Sequence, residues 1–305
     1  MPNEFTQPVI AIVGPTATGK TALSVQVAQA LGGVVVSADS RVVYRGLDIG
    51  TAKPTLAEQG GVTHYLIDVV DPTDTFSVAR YAELAEPLLA HLAQPILVAG
   101  GTGLYLKALL QEDFVPPVPP NPQWRQALLQ AYTPQALYQQ LAERDPVRAA
   151  ALHPNDTVRV LRALEIIEAT GQPVPQSQPR RARPPVLWVG LTWQDRDRHR
   201  ALIDARIEAM LAAGWLEEVE TLLQRWGPEA QALNVTHGYP ELVRVLQGQC
   251  TLAEAVEDIR VQIHQYARRQ RTWFRRNPHI QWFYLDESPL DAVAQWVLER
   301  AHSNR

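Results

Sequence analysis

The run Gly14-Pro15-Thr16-Ala17-Thr18-Gly19-Lys20-Thr21 fits Gly-x-x-x-x-Gly-Lys-[Ser/Thr], and these are residue types that hold phosphate. Two glycines let the backbone curl so that successive N–H groups point inward, Lys20 brings a mobile ammonium, and the Thr21 hydroxyl suits Mg2+. A chance match is expected in roughly one chain of this length in a hundred. The flanks argue further against chance. An apolar run at 9–13 leads into the loop and an amphipathic stretch at 22–31 follows it, so a strand delivers the loop and a helix N-terminus faces the anion.

Two further groups are placed to meet that loop. Asp39 and Ser40 follow the apolar run 34–36, and Gly100-Gly101-Thr102-Gly103 follows 96–99. In parallel β-α-β units the strands share one carboxyl edge and ligands bind outside it, so the three loops should face one crevice. A carboxylate there serves as a base; Asp-Ser is equally a turn or helix cap, and the glycines equally mark a tight turn. An ATPase ordinarily ends a strand in an aspartate that helps to hold Mg2+ and orders the attacking water. Here the strand before Gly100 ends in Ala99, with Asp68, after 65–67, as a substitute, which weakens ATP hydrolysis as the main activity.

The elements that must position these groups follow from periodicity. Runs at 9–13, 34–36, 65–67, 96–99, 186–191 and 282–285 read as strands, the first four as parallel β-α-β units. Helical patterns occupy 123–131, 134–144 and 157–170, the last capped by Asp156 and stopped by Gly171. Proline clusters at 115–122 and 173–185 frame that middle as hinges. The expectation is an α/β fold: a P-loop NTPase-like doubly wound parallel sheet, residues 1–114 and 186–305, with an inserted all-helical domain, residues 115–185.

With 305 residues and 46% hydrophobic content the chain can bury a full core. A single cysteine, Cys250, excludes an internal disulfide and a paired-cysteine zinc site. The eight histidines show no metal spacing, and His64, His153 and His237 read as polar contacts in turns. Residues 1–8 carry an acid and two prolines, unlike a signal peptide, and no apolar run approaches the roughly 20 residues of a membrane span. A cytoplasmic location with no membrane partner is expected. Net charge of −4 argues against a nucleic-acid binder, yet six arginines lie between Arg260 and Arg276. On a helix Arg260, His264, Arg268, Arg271 and Arg275 form one stripe, with Ile259, Ile263, Tyr266 and Trp273 opposite to pack on a core. Such a stripe is a solvated face or an RNA-binding one.

Taken together, the phosphate loop, Ala38-Asp39-Ser40, Asp48-Ile-Gly-Thr-Ala-Lys-Pro54, Gly100-Gly-Thr102 with Tyr105, His153-Pro-Asn-Asp156 with Arg159 and Arg162-Ala-Leu-Glu165, and Ala267-Arg-Arg-Gln-Arg-Thr-Trp-Phe274 resemble the tRNA dimethylallyltransferase (IPP transferase) family. The likeness runs in order over most of the chain, and the Asp48 to Pro54 motif is far more specific than the phosphate loop. It implies transfer of a dimethylallyl group from dimethylallyl diphosphate to the exocyclic amine of adenosine 37, in tRNAs reading codons that begin with U. Diphosphate is released, with Mg2+ as cofactor.

By the same resemblance Asp39 is the general base. Gly14, Pro15, Thr16, Ala17, Thr18, Gly19, Lys20 and Thr21 surround the diphosphate, with Thr16, Lys20 and Arg206 assisting catalysis and Thr21 on the metal. The tRNA anticodon stem-loop is contacted by Asp39, Ser40, Arg41, Val42, Thr102, Arg125, Val158, Arg159, Val160, Leu161, Arg162, His264, Arg268 and Arg269, and the chain acts as a monomer. The chemistry suits these residue types. An adenine amine shares its lone pair with the ring and needs a carboxylate to take its proton. Negative charge builds on the departing diphosphate, where N–H groups, Lys20, Arg206 and Mg2+ oppose it. A base in a loop can be swung out of its stack and read on its edge.

The chain departs from the family pattern at four places. Thr18 stands for a serine, Val42 for a glutamine, Pro240 for a basic residue and His264 for an arginine or lysine; the last three remove polar or positive contacts from the RNA path. Rival readings are a small-molecule or nucleotide kinase, a nucleotide-gated RNA-binding module, and prenyl transfer to a free adenylate. A module has no need of Asp39 and a kinase would use it on a hydroxyl. The helical insertion and the arginine helix favour a large RNA acceptor over a free nucleotide.

Overall fold

The computed structural model describes residues 9–110, 118–175, 183–227 and 230–303. The chain divides into two compact units, Met1–Leu110 with Ala182–Arg305, and Gln111–Arg181. The first unit starts with β1 (Val9–Val13), α1 (Lys20–Leu31), β2 (Val34–Ser37), α2 (Leu56–Gln59), β3 (His64–Tyr65), α3 (Val78–His91), β4 (Ile96–Gly100) and α4 (Gly103–Leu110). The second holds α5 (Pro122–Ala131), α6 (Pro134–Arg144), α7 (Pro146–Ala150) and α8 (Thr157–Thr170). The chain then returns through β5 (Val186–Thr192), α9 (Arg196–Ala212), α10 (Trp215–Trp226), α11 (Gln231–Val235), α12 (Tyr239–Leu246), α13 (Leu252–Phe274), β6 (Gln281–Tyr284) and α14 (Leu290–Ser303).

The strands form one parallel sheet in the order β3-β2-β4-β1-β5-β6. Central strands are continuous apolar runs because both of their faces are covered. Ile10, Ile12, Val35, Leu97 and Leu191 pack with Leu23 of α1 and Val293 and Val297 of α14. The alternate residues, Val9, Ala11, Val13, Val36 and Val98, pack with Tyr81 of α3 and Leu106 of α4. The chain winds from β1 toward β2 and β3 on one side and resumes with β5 and β6 on the other. The carboxyl end of β1, where the winding reverses, is therefore the place for a ligand.

Boundaries differ from the expected ones where local backbone geometry intervenes. The third strand is shorter than 65–67, because Leu66 (φ 63°) and Asp68 (φ 55°) turn into the left-handed region. Helix α1 begins at Lys20 rather than 22, directly after Gly19 at φ 71°. The last strand spans 281–284 and joins the sheet beside β5. Of the expected proline hinges, 115–117 and 176–182 lie outside the described residues.

In the helical unit the caps Asn121, Thr133, Asp145 and Asp156 each accept an N–H three residues on. Proline opens α5, α6 and α7, where its missing N–H has no cost. Leu137, Leu141, Val160, Leu161 and Leu164 form the core of this unit.

Candidate active site

The phosphate loop owes its shape to residues both within and far from it. A Cβ on Gly14 (φ 144°) would lie 2.2 Å from the Leu191 carbonyl oxygen on β5, so no other residue fits there. Thr18 Oγ1 and Lys20 Nζ donate to the Pro15 carbonyl at 2.9 and 2.7 Å. From outside the loop, Trp193 Nε1 donates to the Ala17 carbonyl at 3.1 Å and His199 Nε2 to the Thr16 carbonyl at 2.9 Å. Gln270 Oε1 accepts the Thr16 N–H at 2.9 Å. The His199 ring is buried, which lowers its pKa despite the Thr16 contact and favours the neutral ring with Nε2 protonated. Gly19 offers no side chain to cap α1, so the first-turn N–H groups stay available to an anion.

Charge converges on the same place. Enclosure, followed by repulsion from Arg206 and partly offset by Asp39, lowers the Lys20 ammonium to about 8. Burial likewise lowers Arg206, against the pull of the Asp39 carboxylate. Asp39 Oδ1 accepts the Arg41 N–H at 2.8 Å, the turn contact expected of Asp-Ser. No hydrogen-bond partner for Oδ2 is found among the described residues. Thr102 Oγ1 accepts the Ser40 N–H at 3.0 Å and so ties the turn after β4 to the loop after β2. Its own hydroxyl turns back to Ser40 Oγ at 3.4 Å, and Tyr266 lines the same cavity. Burial and then the Asp39 carboxylate raise Tyr266, which stays a neutral phenol.

A cavity of about 1000 Å³ in the first unit brings together Thr16 to Thr21, Asp39 to Val42 and Arg206. Asp68, the substitute for an ATPase carboxylate, is not in its lining; it is held by Lys53 Nζ at 2.5 Å, together with Asp48 at 2.5 Å and the Tyr44 carbonyl at 2.8 Å. Glu218 caps the N–H groups of Asp48 and Ile49 at 2.9 and 2.6 Å, and its other oxygen accepts the Gly50 N–H at 3.3 Å and the Tyr239 hydroxyl at 2.6 Å. These two networks give the Asp48 to Pro54 motif its rigidity as a cavity wall. His237 is no simple turn contact: it lines the cavity, donates to Gln262 Oε1 at 3.2 Å and lies 5.0 Å from the Tyr266 ring.

Other expected residues are divided among different tasks. On α13, Arg260 pairs with Glu208 and Glu257, and His264 Nε2 lies 2.9 Å from Asp204. Arg268 and Arg269 are exposed with no carboxylate partner among the described residues. Trp273, expected in the core, is 36% exposed and lies across Gly103; the inward positions are Ala255, Val256, Ile259, Ala267, Gln270 and Phe274.

In the helical unit Val160 and Leu161 are core residues, so their side chains do not face a ligand. Val158 and Arg159 are exposed. Arg125 and Arg162 both hold Glu165, each at 2.5 Å. Burial alone would raise Glu165, but the hydrogen bonds from Arg125, the Asn121 N–H and Arg162 prevail and hold it below the ordinary carboxylate range.

Among the described residues no group of three or more His, Cys, Asp or Glu side chains is placed to hold a metal. The Thr21 hydroxyl lines the cavity at the end of the phosphate loop, with no carboxylate cluster beside it among the described residues. That donor set fits Mg2+ arriving on a diphosphate and keeping mostly phosphate and water ligands.

The model of the IPP transferase family matches residues 42–277. The chain is 48% identical over 297 residues to the tRNA dimethylallyltransferase of Thermosynechococcus vestitus, covering 95% of each chain. It is 46% identical to that of a Roseiflexus species, over 95% of this chain and 99% of the relative. Among solved structures, the tRNA isopentenylpyrophosphate transferase of Bacillus halodurans superposes with a TM-score of 0.71 at 36% identity, over 98% of both chains. A eukaryotic dimethylallyltransferase acting on tRNA superposes with a TM-score of 0.80 at 25% identity, over 98% of this chain and 80% of the other.

Proposed function

The chain belongs to the IPP transferase family, and from that premise we propose that it is a tRNA dimethylallyltransferase, moving a dimethylallyl group from dimethylallyl diphosphate to the exocyclic amine of adenosine 37 and releasing diphosphate. The observation that carries this reading is the convergence of Lys20, Arg206 and Asp39 on one cavity. Two cations oppose the charge that develops on the leaving diphosphate, and the phosphate loop and α1 N-terminus add their N–H groups. In the same cavity, Asp39 takes the proton from the attacking amine as the carbon–nitrogen bond forms.

Thr102 sets the Asp39-Ser40 loop through the Ser40 N–H, and Tyr266 lines the cavity beside it. Mg2+ carried on the diphosphate, with Thr21 as its protein oxygen, would neutralise part of the leaving-group charge. The anticodon stem-loop is met in the first unit by Ser40, Arg41, Arg268 and Arg269, and in the helical unit by Val158 and Arg159. An RNA acceptor of this kind supports a cytoplasmic location.

The test is transfer of labelled prenyl from dimethylallyl diphosphate to unmodified tRNA, run beside free AMP as acceptor and ATP as rival donor. Transfer to tRNA alone is expected. Asparagine can keep the turn contact to the Arg41 N–H, so Asp39→Asn isolates the chemistry. Asp39→Asn and Lys20→Ala should each lose at least about a hundredfold in rate. Equal turnover of Asp39→Asn and the unaltered enzyme would remove Asp39 as the base, and phosphorylation from ATP would overturn the whole reading.

A further inference from the structure

Gln270 is a buried polar residue that the chemistry above does not use. It is 5% exposed on the inward face of α13, and both ends of its amide are engaged. Oε1 accepts the Thr16 N–H at 2.9 Å and Nε2 donates to the Gly101 carbonyl at 3.0 Å. The fit is tight, since a Cβ on Gly101 would lie 2.1 Å from that nitrogen. One side chain therefore joins two loops leaving the neighbouring strands β1 and β4. The first holds the diphosphate. The second carries Thr102, which fixes the Ser40 N–H next to Asp39.

The same stretch of helix carries Arg268, Arg269 and Arg271 on its more exposed side. Arg271 is partly buried and crowded by Arg196, Arg275, Arg268 and Arg200; burial and then this repulsion lower its guanidinium to about 10. An RNA backbone settling there relieves the repulsion and holds the helix. Gln270 is rigidly attached to that helix, and a buried amide cannot give up either partner without a penalty. Whatever fixes α13 thus fixes Thr16 and Gly101.

We infer that Gln270 is a positioning residue that couples RNA engagement by α13 to the geometry of the diphosphate loop, so that RNA acceptor and diphosphate bind cooperatively. This rests on the function proposed above. Coupling between two ligands is reciprocal, which makes it measurable from either side.

The experiment titrates full-length protein with inorganic diphosphate, with and without an unmodified tRNA anticodon stem-loop. In the unaltered protein each ligand should tighten the other by the same factor, about fivefold or more. Gln270→Met keeps the length of the side chain and removes both hydrogen bonds. It should leave stem-loop affinity in the absence of diphosphate within about twofold, bring the coupling factor to about one, and raise the KM for the prenyl donor about tenfold. A role in stability alone would lower the melting temperature and leave the coupling factor intact. Coupling retained in folded Gln270→Met overturns the inference; should that variant not fold, Gln270→Glu, which keeps the acceptor for Thr16 and loses the donor to Gly101, decides by the same measurement. An unaltered enzyme that transfers the prenyl group without coupling overturns this inference alone. One that neither binds the stem-loop nor transfers overturns the proposed function as well.

Discussion

Lys20 is a cation held where charge is disfavoured, and that tension has two measurable consequences. In the ligand-free protein it titrates at about 8, so affinity for inorganic diphosphate should fall as pH rises through about 8. Lys20→Arg should flatten that limb, because a guanidinium stays charged there. Calorimetric titration between about pH 7 and 9 checks this, and a flat profile for the unaltered protein would refute it. For stability the sign is opposite. A lysine whose folded-state value lies below the ordinary 10.5 burdens the fold wherever it is charged, and the burden lifts as pH rises from about 8 toward 10.5. Lys20→Met should therefore raise the melting temperature at neutral pH while abolishing tight diphosphate binding.

At the scale of elements, α13 carries a stripe of two unlike halves. Arg260 is already matched by Glu208 and Glu257 and His264 lies against Asp204, whereas Arg268 and Arg271 of the stripe, and Arg269 beside them, have no carboxylate partner among the described residues. Arg268→Ala should weaken tRNA binding and reduce the slope of log affinity against log salt by about 1, while Arg260→Ala leaves the slope unchanged. Equal slopes in the two variants would return the whole stripe to a solvated face. The loop from Asp48 to Pro54 is held by a different device, the Glu218 carboxylate that receives three N–H groups and the Tyr239 hydroxyl. Glu218→Ala strands those donors and should cost about 3 kcal/mol in denaturant unfolding. A loss below about 0.5 kcal/mol would mean that the loop finds other partners.

For the whole molecule, the main consequence is that the two units have separate cores. Leu141 is fully buried within the helical unit. Leu141→Ala should cost about 3 kcal/mol there, seen as faster amide hydrogen exchange in α6 and α8, with diphosphate affinity in the first unit unchanged. Lost diphosphate affinity would show that the units are not energetically separate. Glu165 adds a pH signature to the same unit. Its value is depressed in the fold, so its stabilisation is present above the ordinary carboxylate range and is lost as pH falls through and below it.

Features governed by neighbours along the chain are legible in the order of the residues alone. The phosphate loop, the parallel strands, the Asp156 cap and the helical insertion depend on glycine conformation, apolar periodicity and capping, which act over a few residues. Periodicity also speaks against two of the expected RNA contacts: the spacing of Val160, Leu161 and Leu164 places all three on an apolar helix face. The third strand is shorter than its apolar run suggests, because backbone turning at Leu66 and Asp68 overrides that run. The buttresses of the active site have no local signal. Gln270, His199 and Trp193 reach Thr16 and Ala17 across 254, 183 and 176 residues, and a glutamine, a histidine and a tryptophan on a helix or loop look alike whether or not a distant carbonyl awaits them. Only the folded chain, by bringing α9 and α13 against the end of β1, buries His199 and Gln270, and burial is what makes their hydrogen bonds obligatory.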